Sequence, residues 1–152
     1  MLNAVDLLIA IRARLKASAP TQAREVYSHR AARGVVVKAN EKPFIVVNIR
    51  GDSNDSFTSN GLDVQVFVNI FDHRANASTQ LSDLWARVIG DGNPPDTAPT
   101  YGLHRHHLVL ATDNTAGVMV FEGFEPILDD DEDGIGVVLR FNVNMDYVPP
   151  AP

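Results

Sequence analysis

The chain has 152 residues, 45% of them apolar, a formal net charge of −6 and no cysteine. That length suits one domain able to bury roughly two thirds of its unfolded surface, and the apolar share argues against wholesale disorder. The acidic balance argues against a module that grips nucleic acid through its phosphates, and the lack of cysteine removes disulfide scaffolds, thiolate metal sites and thiol nucleophiles.

Residues 1–6 lack a basic leader, and the apolar residues that follow are interrupted by Asp6, Arg12 and Arg14. Neither a signal peptide nor a membrane span is expected, and the chain reads as soluble and made in a cytoplasm. Residues 3–16 read as a helix, with Asn3 as cap, Asp6 in the first turn, and an apolar face of Ala4, Leu8, Ile11 and Leu15 widened by Val5 and Leu7. Short extended pieces are expected at 25–27 and 34–38. Residues 43–49 form a strand with Pro43 at its first position, apolar on both faces and so placed centrally in a sheet. Residues 50–60 read as a polar loop, and the triplet Arg50-Gly51-Asp52 within it as chance rather than an adhesion motif.

The clearest local signal runs from Gly61 to Gly90, where two periods meet. Val64, Val66, Val68 and Ile70 alternate with Asp63, Gln65, Phe67, Asn69 and Phe71, the period of a strand. After a break at 72–76, the spacing of Ala77, Leu81, Leu84, Trp85, Val88 and Ile89 is that of one helix face, capped by Asn76 or Ser78 and stopped at Gly90. A long strand feeding an amphipathic helix in this way is the core of a small α+β domain. Residues 91–102 are an irregular excursion rich in proline and glycine. A strand is expected at 104–112, a turn at 113–117, and a strand at 118–128 bent near Gly123 and Pro126. An acidic turn at 129–133 leads to the longest alternation, from Ile135 to Tyr147, long enough to project beyond the core. The domain is expected to span 1–148, with a proline-rich tail at 149–152.

Three sets of residues could carry chemistry. In a strand, His104 and His106 would share a face and could hold a metal ion if carboxylates arrived from elsewhere, but Arg105 between them would repel a cation. Asp129, Asp131, Asp133 and Gly134 reproduce the opening of an EF-hand loop, yet Arg140 stands where the bidentate glutamate belongs and no helices flank the run. A solvated acidic turn is the better account. Ser53, Ser56, Ser59, Ser78 and Ser82 lack a nucleophile-elbow sequence, and there is no phosphate loop or H-E-x-x-H motif. No enzyme is expected. The alternative of a small metal-dependent enzyme or ligand-binding domain would use His104, His106 and the acidic turn.

The order of elements supports a specific comparison. A first helix, a tyrosine-bearing segment at Val26-Tyr27, a Pro-Phe-Ile-Val strand, the strand Asp-Val-Gln-Val-Phe-Val-Asn-Ile-Phe-Asp, a helix and closing strands ending in Gly-Val-Val-Leu-Arg-Phe-Asn-Val follow one another. This layout resembles the tail terminator, or tail completion, proteins of long-tailed bacteriophages, from about residue 3 to 147. The likeness is one of order rather than of a diagnostic motif, and the stretches 28–42 and 91–102 look long for it. It implies a curved, mostly antiparallel β-sheet with two helices packed on one face, assembled as a hexameric ring in the tail or neck of a virion put together in the bacterial host cytoplasm. The implied partners are tail-tube protein on one side and head-completion or connector protein on the other. DNA would pass through the channel without specific binding, helped by an acidic lining that repels phosphate. No catalytic, cofactor or metal residues are implied. The contact elements expected for such a ring are Asp52, Asn54, Asp55, Phe57 and Asn60 in one loop, Pro94, Pro95 and Tyr101 in another, and Asp129, Asp131 and Asp133 in the acidic turn. A connector or tail-tube subunit is the neighbouring alternative.

Overall fold

The computed structural model describes residues 4–18, 26–28, 42–53, 61–73, 81–92, 99–110, 114–128 and 134–147. The two cleanest alternations lie side by side at its centre. β3 (Gly61–His73) pairs antiparallel with β6 (Gly134–Tyr147) along its whole length, from Gly61 opposite Asp146 to His73 opposite Gly134. On the other flank of β3 lies β2 (Phe44–Ser53), also antiparallel, and β1 (Val26–Ser28) adds to β2 in parallel. The far flank of β6 is shared by β5 (Val120–Leu128) and β4 (Asn114–Ala116), both antiparallel to it. The result is one six-stranded, mostly antiparallel sheet.

Register turns the sequence alternation into a single apolar face. Val64, Val66, Val68 and Ile70 stand opposite Val143, Phe141, Leu139 and Val137 of β6, while Ile49, Val47 and Ile45 of β2 continue three of these rows. Two helices cover this face: α1 (Ala4–Ser18) through Leu7, Ile11 and Leu15, and α2 (Ser82–Ile89) through Leu84 and Val88. All five of these helix residues are fully buried. Each such side chain contributes about 1.5–3 kcal/mol over its exposed state, so this layer is the main source of stability. The fold is α+β with both helices on one face, as expected. The opposite face is polar over much of its area, with Arg50, Asp63, Gln65, Arg140 and Asn144 exposed, and apolar at one end, where Phe44 and Phe71 stack at 5.2 Å.

Several local expectations are corrected. The buried side of α1 centres on Leu7, Ile11 and Leu15, and Val5, assigned to that face, is 58% exposed. β2 does not end at Ile49. Arg50, Gly51, Asp52 and Ser53 remain paired with Gln65, Val64, Asp63 and Leu62, so the Arg-Gly-Asp triplet sits within a paired strand. A partner strand satisfies those backbone groups regardless of the polar side chains. The turn expected at 113–117 contains β4, paired with residues 145–147. β6 therefore does not project alone: Met145 is fully buried and Tyr147 still faces Asn114 in the ladder. The expected bend in β5 is a register shift between Phe121 and Gly123. The extended piece at 34–38, the caps Asn76 and Ser78, and the tail 149–152 lie outside the described residues.

Candidate functional site

The strand expected at 104–112 is a strap instead, and the reason is local. Where α2 ends, Gly90 and Gly102 both take positive φ, 96° and 83°. They come so close that a methyl group on Gly102 would overlap the Gly90 Cα, and one on Gly90 the Tyr101 oxygen. Only glycine tolerates this combination of φ and proximity. The crossing lets Leu103 and His104 donate their N–H groups to the Val88 and Ile89 carbonyls, both at 2.9 Å. Those carbonyls would otherwise be open at the helix C-terminus. Committed to α2, the segment turns through Arg105 (φ 65°) and meets the sheet side through the isolated bridge His107–Val118 and the backbone bonds of Arg105 and His106 with Met119.

Side chains fasten the start of the strap, at residues 99–102. Arg14 reaches from α1 to donate to the Gly102 and Pro99 carbonyls at 3.0 Å each. The Asp91 carboxylate accepts from the Thr100 N–H (2.8 Å), the Tyr101 N–H (3.3 Å) and the Thr100 hydroxyl. Its pKa is lowered, chiefly by the Thr100 hydroxyl, against an opposing push from burial. Tyr101, one of the expected contact residues, is half-buried with the Arg87 guanidinium 4.5 Å above its ring. That packing holds the ring by a cation–π contact.

The histidines serve the same join. His104 Nδ1 accepts the Phe121 N–H at 3.0 Å, so that nitrogen is bare and the imidazole neutral. Burial lowers its pKa, and the Arg105 charge adds to the shift. His107 Nε2 meets the Ala116 carbonyl at 2.6 Å; the oxygen can only accept, so Nε2 carries the proton. His106 exchanges backbone bonds with Leu103 and Met119, and its pKa is lowered by burial and by the nearby Arg14 and His107. Without a strand here, the shared face imagined for His104 and His106 does not form. Among the described residues no three His, Asp or Glu side chains gather as a metal would require. Nor is any described helix long and apolar enough to cross a membrane.

Of the other expected contact residues, Asp52 lies in β2 at the register position opposite Asp63. Asn54, Asp55, Phe57, Asn60, Pro94, Pro95, Asp129, Asp131 and Asp133 lie outside the described residues. Sequence reasoning missed the apolar surface along β5, where Phe124 is 53% exposed and packs its ring 4.5 Å from Trp85 of α2. The signal was present in Glu122, Gly123, Glu125 and Pro126, a composition suited to a sheet edge.

The described residues form a layered α+β domain in which the strap joins α2 to the edge of the sheet. No protein family matches the sequence, and no curated protein matches it. Among solved structures, a chain in the virion of a native gene transfer agent (GTA) particle is similar, with a TM-score of 0.59 and 13% identity. The likeness covers 92% of this chain and 94% of that one, so the two share a fold.

Proposed function

We propose that the protein is a structural subunit of a virion, and within it a tail terminator. Six copies form a ring that seats on the finished end of a tail tube, ends its polymerisation and presents its other side for head–tail joining. The observation that supports this reading is a fold shared over nearly the whole chain with a component of a virion particle. It joins an order of elements that resembles the tail terminators. The mechanism is steric: occupying the growing end removes the surface on which the next tube ring would assemble, and no catalysis is called for. Tyr101, held by Arg87, and Asp52, near the end of β2, are the described residues offered as contacts with the ring's neighbours.

Light scattering combined with negative-stain images of the same sample tests the reading. A six-fold ring with an open centre, which binds the ends of purified tail tubes and halts their growth, is the expected result. Long tubes formed by the protein alone would assign it to the tube subunits instead. Failure to bind tube ends or connector protein would sink the terminator assignment.

A further inference from the structure

Among the described residues, β5 has β6 on one flank and no named strand on the other. An edge left open in this way is a template on which a strand of another chain can add. At 119–121 the strap takes the place of the missing neighbour. Arg105 donates its N–H to the Met119 carbonyl at 2.7 Å, and the Met119 N–H donates to the His106 carbonyl at 3.0 Å. Two residues on, the Phe121 N–H is met by a side chain instead of a carbonyl, His104 Nδ1 at 3.0 Å. The cover over this edge therefore ends on an acceptor that can be protonated.

The closed position of the strap is held against opposing forces. Arg105 has a φ of 65°, a conformation that a residue with a side chain keeps only where its surroundings impose it. Its Nε is buried with no hydrogen-bond partner among the described residues, which also disfavours closure. Leu103 and Leu108, both buried, anchor the segment at its two ends. The residues between them are polar and none is fully buried, so opening between the anchors withdraws no large apolar side chain of the strap from the core.

We propose that residues 104–107 form an acid-released guard on this edge, opened by protonation of His104 while the rest of the sheet stays folded. A protonated Nδ1 carries a hydrogen and cannot accept from Phe121, so the ring must leave, and the strained turn at Arg105 is freed with it. His107 behaves differently. Its Nε2 donates to the Ala116 carbonyl in the neutral and the charged ring alike, so release begins at the His104 end. Burial lowers the pKa of both His104 and His106; Arg105 adds to the first shift, and Arg14 of α1 and His107 to the second. Of the carboxylates on the neighbouring elements, Asp91 is taken up by Thr100 and Tyr101, and Glu122 of β5 is exposed. Closed, the strap refuses a proton that the open segment binds at 6.5, so opening is favoured as the pH falls below that value. The inference does not depend on the ring reading.

Amide hydrogen exchange, read residue by residue by NMR and corrected for its intrinsic pH dependence, tests the guard. In the wild type, protection of the Met119 and Phe121 amides should fall by about tenfold per pH unit below 6.5 until the folded pKa of His104 is reached. Val66 and Leu139, at the centre of the sheet, should keep theirs. His104→Asn, whose side-chain oxygen can stand where Nδ1 stood and does not titrate, should lessen the slope at Phe121. If that variant does not fold by circular dichroism, the wild type decides alone: titration of the His104 ring must coincide with the loss of Phe121 protection. Constant protection at Met119 and Phe121 down to about pH 5 overturns the inference. So does a decline shared equally by Val66 and Leu139, which is melting of the whole sheet. A slope that His104→Asn leaves unchanged, or a ring titration that does not coincide with the loss, overturns it as well.

Discussion

Val68 and Phe124 are cross-strand neighbours of one residue, Leu139, on its two sides. Val68 is fully buried, whereas Phe124, the larger and more apolar of the two, is 53% exposed. The difference lies in the strands that carry them. β3 has a partner on each flank and helices over one face, so every second residue is enclosed. β5 has one partner, a register shift and a proline, and Phe124 gains its cover from the Trp85 ring alone among the aromatic contacts. Burial is thus a property of the neighbours a strand acquires, and hydrophobicity without neighbours yields a surface.

This contrast can be broken in graded steps. Leu139→Ala, which empties the space between the two strands, should cost about 3–4 kcal/mol in denaturant unfolding, the range for a buried leucine. Gly102→Ala should cost about 2–3 kcal/mol in the same measurement, because it combines a positive φ with an overlap against Gly90. A cost below about 0.5 kcal/mol would mean the strap contributes little to holding α2 against β5. Phe124→Ala should cost about 1 kcal/mol, well short of the roughly 2 kcal/mol expected for Val68→Ala. Equal losses at the two positions would show that β5 is as enclosed as β3.

The smallest effect is a pH dependence at the strap. His104 and His106 both have pKa values lowered from 6.5, so the unfolded chain binds protons that the folded chain refuses. Their contribution is complete above pH 6.5 and is lost as the pH falls through 6.5 toward the lower folded values. A protonated His104 would also turn an N–H toward the Phe121 N–H that it now accepts. Melting temperature should therefore decline between pH 7 and 5, and His104→Gln should flatten part of that decline. An unchanged slope in the variant would remove His104 from the account.

What could be read in advance followed periodicity. The alternation at 62–71 and 135–147 located β3 and β6, and Leu84 and Val88 identified the buried side of α2, because in each case the pattern and the neighbours agree. The apolar run Leu108-Val109-Leu110 suggested a strand, but the N–H groups just before it belong to α2 carbonyls, a pairing no local pattern records. Asn114-Thr115-Ala116 has the composition of a turn and became a strand because the end of β6 offered it a ladder. Val5 and Leu7 are equally apolar, and only the rotation of α1 on the sheet decides that one is exposed and the other buried. The candidate contacts were sought in loops, of which only Asp52 and Tyr101 fall among the described residues, and the exposed apolar side chains of α1 and β5 were not among them.

β6 is the shared partner of β3, β4 and β5, and all three precede it in the chain. During synthesis, those three strands are translated before the residues that will join them. β3 then has β2 alone beside it, and β4 and β5 have no ladder to enter. Sheet closure is consequently a late event in the life of the nascent protein, completed only when residues 134–147 emerge. A message cut short before that point would yield a polypeptide whose most apolar face is half assembled, a natural client for chaperones rather than a smaller working subunit.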